Sequence, residues 1–317
     1  MQASLDINRE ARQQTGFTLL ELMLAMVILA MIMTLFGSMF SSTSKAWQSG
    51  EDNAQRRRNV RALADFIGSE LQGALLPVHD STAGARANLQ FVINPALSKL
   101  SSAYRHADAI FWQAPLARET SFGEIAEVGY FVKWDGGLPM LCRFFVNPST
   151  KVGGVLKPNP QFLIYNDAAP DAWLSTEVVE SVVQPASEAA GFKGLFAENV
   201  IGLWIRSFGL DGQELPREFD SRTGYDCKLP SAAGPVTEKR RLPATVQVSL
   251  AQIDSRDAFR LKPVATEVQA LAQSVSTRDA TQFLASLQTA STGRTDLSAL
   301  LPGVRIYTTQ IKLLNAR

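Results

Sequence analysis

Glu21 is an acid in an almost wholly apolar run, with Leu19 and Leu20 before it and Leu22 to Phe36 after it. A carboxylate inside such a stretch is costly unless it is paired or lies near an interface, so a partner is expected for it. The other candidates for chemistry have less support. His79 and His106 lie in polar segments with no cysteine or second histidine at metal-ligand spacing. Asp135-Gly136-Gly137 and Asp211-Gly212-Gln213-Glu214 lack the alternating oxygen ligands of a calcium loop, and Asp-Gly is first of all a turn. Cys142 and Cys227 either pair in an oxidising compartment or stay as small buried thiols. The chain has no phosphate-cradling glycine loop, nucleophile elbow or zinc-binding helix. We therefore expect no catalytic residues, no cofactor and no metal site, and read the chain as a non-enzyme.

The element that must position Glu21 runs from Phe17 to Phe36. As a helix it is about 30 Å long, enough to cross the hydrocarbon core of a bilayer. At its head, Gly16-Phe17-Thr18-Leu19-Leu20-Glu21 resembles the prepilin processing motif. In that family a dedicated membrane peptidase cuts after the glycine and methylates the new amino terminus. The resemblance implies that Gly16 closes a leader, that Phe17 opens the mature chain and that Glu21 is its fifth residue. It also implies that Glu21 pairs with the amino terminus of a neighbouring subunit, the partner that a buried acid requires.

Residues 1–16 are then a polar leader, and Arg9 and Arg12, nearest the membrane, hold it in the cytoplasm. The Ser/Thr cluster at 41–44 marks the exit from the hydrocarbon, which makes 17–40 the membrane part. Val60, Leu63, Ile67 and Leu71 recur at three- and four-residue steps, so the helix continues with one apolar face. Arg56, Arg57, Arg58 and Arg61 form a solvated stretch near anionic headgroups. Pro77 should stop the helix near Leu76, which bounds it at 17–76.

From 77 to 317 the texture is β-rich, and we expect a periplasmic head. Strands are predicted at 89–93, 109–112, 201–206, 244–253 and 304–314, with a hairpin of 124–134 and 138–146. The strand at 244–253 alternates as if one face were wet. Loop-rich insertions are expected at 152–190 and 209–241, and one or two helices at 264–292, with Val268, Leu271 and Val275 on one face. The pair Val128-Gly129-Tyr130 and Leu141-Cys142-Arg143 resembles strands of J-type minor pseudopilins and W-type minor pilins. The order of elements is also similar to the Verru_Chthon cassette protein C family. These resemblances imply an α+β, pilin-like fold, with a long N-terminal helix packed on an antiparallel sheet.

With 31 basic and 30 acidic residues, the chain makes no electrostatic case for nucleic acid. The expectation is a single-pass inner-membrane subunit with its head in the periplasm, serving type II secretion or pilus assembly. Its partners would be the prepilin peptidase and other pilins, met through the N-terminal helix. The bulk of the head points to a minor subunit at or near a filament tip. The alternatives are a membrane-anchored adhesin or DNA-uptake minor pilin, and a single-pass membrane enzyme.

Overall fold

The computed structural model describes residues 18–75, 90–95, 107–116, 123–160, 162, 172–175, 178–179, 194–231 and 234–316. The chain divides after Gln55 into two compact units. The first is helical, the amino-terminal part of α1 (Leu19–Gln72). Leu, Met and Ala dominate here, residues that lose little freedom in a helix. Leu19–Gln48 contains 18 successive residues with a mean hydropathy of 2.5, none of them buried. Its 30 residues rise about 45 Å, long enough to cross a membrane. The hydroxyls within it are spent locally: Thr34 donates to Met31 O (2.8 Å), Ser38 to Leu35 O (2.9 Å) and Thr43 to Met39 O (2.8 Å).

In the second unit the last turns of α1 bury Val60, Ala64, Ile67 and Leu71, and Leu63 is half-buried. This is the face that the three- and four-residue spacing predicts. The helix ends at Gln72, earlier than the stop expected near Leu76. Gly73 follows at once, a poor helix former, and the departing chain is bonded elsewhere. Leu75 N donates to Gln113 O (2.9 Å), and Asn315 Nδ2 donates to Ala74 O (2.8 Å). Pro77 lies outside the described residues, as do His79, His106 and most of the 152–190 region.

The strands are β1 (Phe91–Ile93), β2 (Ala109–Ala114), β3 (Ala126–Asp135), β4 (Leu138–Val146), β5 (Ser149–Val152), β6 (Val155–Pro158), β7 (Leu195–Glu198), β8 (Val200–Phe208), β9 (Phe219–Asp220), β10 (Tyr225–Leu229), β11 (Val236–Arg240), β12 (Thr245–Ile253) and β13 (Val304–Lys312). A six-stranded sheet has the order β7-β4-β3-β2-β1-β9, and a three-stranded sheet the order β13-β12-β8. All their pairings are antiparallel. The fold class is α+β, a long apolar N-terminal helix followed by antiparallel sheets, as the sequence leads one to expect. β3 and β4 form the predicted hairpin, closed by Gly136 (φ 55°) and Gly137 (φ 81°), the positive-φ pair that a tight two-residue turn requires.

Side-chain alternation sorts these strands onto separate cores. Ile110, Trp112, Val128, Tyr130, Val132 and Leu141 face α1, joined there by Val246, Val248 and Leu250 of β12. Phe111, Phe131, Cys142 and Phe144 face the opposite way, under Trp173 and Leu174. Behind the three-stranded sheet lie α2 (Ser255–Leu261), α3 (Ala265–Gln273) and α4 (Ala280–Ala290). Their Leu261, Val268, Phe283 and Leu287 cover Ile201, Trp204, Ala251 and Ile253.

Three expectations need correction. The supposedly wet face of 244–253 is buried: Gln247 and Ser249 are covered and Ala251 lies under the helices, because this strand is central and covered on both sides. Val275 is not on a helix face; it follows the end of α3 and is 85% exposed. The 209–241 region is not only loop, since β10 and β11 pair there in register from Tyr225–Arg240 to Leu229–Val236.

Candidate assembly site and helix latch

Of the three residues that the processing motif singles out, Glu21 is described; Gly16 and Phe17 lie outside the described residues. Glu21 occupies the third position of α1, where helix N–H groups have no partner of their own. Its Oε2 accepts from Thr18 N (3.0 Å) and from Thr18 Oγ1 (3.1 Å), and its own N–H donates back to Thr18 Oγ1 (3.3 Å). This reciprocal arrangement is a capping box. The carboxylate also sits at the positive end of the helix dipole. The motif therefore does a local job as well: Thr18 and Glu21 start the helix that carries them.

A second acid, Glu70, is buried on the face of α1 that meets the sheet. Sequence reasoning missed it, although it falls three residues after Ile67 and beside Leu71, on a face that is otherwise apolar. Its Oε2 accepts from Tyr130 Oη and from Arg143 Nε (3.2 Å), and its Oε1 accepts from Arg143 Nη2. Tyr130 and Arg143 are directly opposed across the β3–β4 ladder, and Arg143 Nε also donates to Tyr130 Oη (3.1 Å). The guanidinium lies over the Phe145 ring at 4.0 Å and near Phe66 at 5.7 Å, the cation–π geometry that suits arginine. Burial, then the Glu70 charge, push the Tyr130 hydroxyl's pKa well above its usual value, so it stays a donor. β3 and β4 thus supply the tyrosine and arginine that hold the helix. Charge, donor and acceptor are all committed to one another, and nothing here is poised as a nucleophile or base.

Asp108, just before β2, ties the two sheets together. Its Oδ1 accepts from Asn94 Nδ2 (2.7 Å) and Arg217 Nε (2.8 Å), and its Oδ2 accepts from Ile205 N in β8 (2.8 Å). The cysteines answer the question that the sequence left open: both are free and buried. Cys142 belongs to the aromatic core under Trp173, and Cys227 to the core facing α1. Burial pushes the Cys142 thiol up to about 12, so it is protonated and inert at neutral pH. Asp135 precedes the hairpin turn, and Asp211 Oδ1 accepts from Gln213 N (3.1 Å) within its own turn. Glu214 is held by arginines: Arg206 Nε donates to it at 3.1 Å and Arg278 Nη2 at 2.7 Å.

Residues 11–37 match the family described as the prokaryotic N-terminal methylation motif. No curated protein matches the chain. Among solved structures, a type IV-like pilin from Thermus thermophilus aligns over 82% of this chain and 98% of its own, at 12% identity and a TM-score of 0.33. An overlap that loose adds nothing to what the strands themselves establish. The chain thus carries a prokaryotic N-terminal methylation motif at the head of a long apolar helix, with antiparallel sheets after it.

Proposed function

We propose that the chain is a structural subunit of a type IV pilus or a type II secretion pseudopilus, and a minor one. The observation that carries this reading is the methylation motif at 11–37, continuous with a bare apolar helix from Leu19 to Gln48. In this reading residues 1–16 are a cytoplasmic leader, and the prepilin peptidase cuts after Gly16 and methylates Phe17. The helix that follows ends at Gln72, with 17–40 in the inner membrane, and the chain beyond it to 317 forms the periplasmic head. Glu21 then gives up its bonds to Thr18 for the amino terminus of a neighbouring pilin as the subunit is lifted into the filament. A head of this bulk is hard to repeat along a tight helical fibre, which favours a place at or near the tip.

The test is intact mass and N-terminal sequencing of the chain from membranes with and without the prepilin peptidase. A methylated Phe17 terminus that depends on the peptidase is the expected result, and an uncut chain would overturn the reading. In the same cells Glu21→Ala should leave insertion unchanged and reduce recovery in sheared filaments. Incorporation at the parental level would remove Glu21 from the assembly role.

A further inference from the structure

Between Glu21 and Glu51 the only charged residue is Lys45. That stretch of α1 rises about 45 Å, the thickness of a bilayer with both of its headgroup layers, whereas the apolar run from Phe17 to Phe36 matches the hydrocarbon core alone. Beyond that run the helix still carries large apolar side chains with nothing packed on them. Phe36, Phe40 and Trp47 are 66%, 78% and 76% exposed. Their spacing of four and then seven residues puts them on one stripe of the helix. Lys45 is exposed as well. In the polar turn between Phe40 and Trp47, Thr43 donates back to Met39 O (2.8 Å), so that hydroxyl needs no water.

A partner helix covers one stripe of α1 and leaves the others wet. From Leu19 to Phe40 the leucine, methionine, valine and phenylalanine side chains are bare all round the helix, the condition of a segment that meets lipid on every side. Trp47 continues that surface at its far end. A tryptophan ring has a broad apolar body and one N–H donor, and it collects where acyl chains give way to headgroups. A lysine beside it lays its stem along the acyl boundary and lifts its ammonium group to the lipid phosphates. We propose that Trp47 and Lys45 anchor α1 in the outer headgroup layer, with Glu21 in the inner one, so that the embedded part of the helix runs past residue 40 to Trp47. The inference rests on the membrane-anchored reading of α1.

The experiment uses the full chain and its Trp47→Phe variant, each reconstituted at low density into phosphatidylcholine vesicles and floated on a gradient. The lipid carries bromine either near the headgroup end or near the terminal methyl of its acyl chains. Trp112, Trp173 and Trp204 are fully buried in the head, and subtracting the emission of the variant isolates that of Trp47. The expected result is that Trp47 loses most of its emission to the shallow bromines and little to the deep ones. Equal or stronger quenching by the deep bromines would put the ring in the acyl core and overturn the proposal. So would emission untouched by either lipid: quenching by aqueous iodide would then place the ring in water, and resistance to iodide would assign it to a second copy. A chain that fails to float with the vesicles overturns the anchored reading itself, an outcome distinct from a floating chain whose Trp47 is wet.

Discussion

Glu70 accepts hydrogen bonds from two adjacent strands, and the charge it keeps under α1 is tolerable only because Arg143 lies against it. Side-chain exposures of 7% for Glu70 and 14% for Arg143 put the pair out of reach of solvent screening. Removing one member of such a pair strands the other, so Arg143→Ala is expected to cost about 3–5 kcal/mol. Glu70→Gln keeps the shape and an acceptor and should cost less. The comparison is Arg61→Ala: Arg61 meets Asp65 at 3.5 Å with both side chains more than half exposed, and a pair of that kind is worth about 0.3–0.5 kcal/mol. Urea midpoints of the three variants in micelles, followed by tryptophan emission, decide this. An Arg143→Ala midpoint no lower than that of Arg61→Ala would show that the latch is not holding the helix. Glu70 was not read from the sequence because nothing local identifies its partners: they lie on strands 60 and 73 residues further along.

Among the elements, the strands show how much of a pattern survives packing. β3 is built around Gly129, where a Cβ would stand 2.2 Å from Cδ1 of Phe111. That ring cannot retreat, since Phe131, Phe144 and Trp173 each lie with centroids about 6 Å from it. Gly129→Val should therefore destabilise the six-stranded sheet by about 3 kcal/mol, the upper end of ordinary overpacking. Thermal unfolding of the variant measures it, and a melting temperature equal to the parent's would mean that the aromatic core rearranges freely. The hairpins β5–β6 and β10–β11 stand where the sequence predicts loop, because they are short and polar or wet. Yet Gly153-Gly154 between Val152 and Val155 was a usable turn signal. In β8 the alternation read from Ile201, Leu203 and Ile205 does not hold throughout. Ile201 joins the core behind the sheet and Leu203 the core in front, across the register shift opposite Ala251 and Gln252.

For the molecule as a whole, the head is held by charge pairs that join elements as well as by its cores. Glu214 binds Arg206 of β8 and Arg278 beside the cap of α4, and Arg206 also reaches Asp279, which caps that helix, at 3.7 Å. The Arg206 hydrogen bond, reinforced by Arg278, holds the Glu214 carboxyl down at about 2. An unfolded glutamate titrates near 4.3, so Glu214 contributes stability above about pH 4.3 that is lost as pH falls towards 2. Glu214→Gln should flatten the acid limb of stability in that window and change little of the slope between pH 6 and 8. A melting temperature profile against pH reads this directly, and parallel profiles would exclude it. By itself the sequence determined the anchor, the processing motif, the apolar face of α1 and the strong hairpin, because each is written in residues adjacent along the chain or one helical turn apart. The tertiary structure alone decided that Glu70 meets Tyr130 and Arg143, that β12 is covered on both faces and that the two thiols lie in different cores. Those outcomes depend on which surfaces meet, and contacts between residues distant in sequence leave no periodic trace in it.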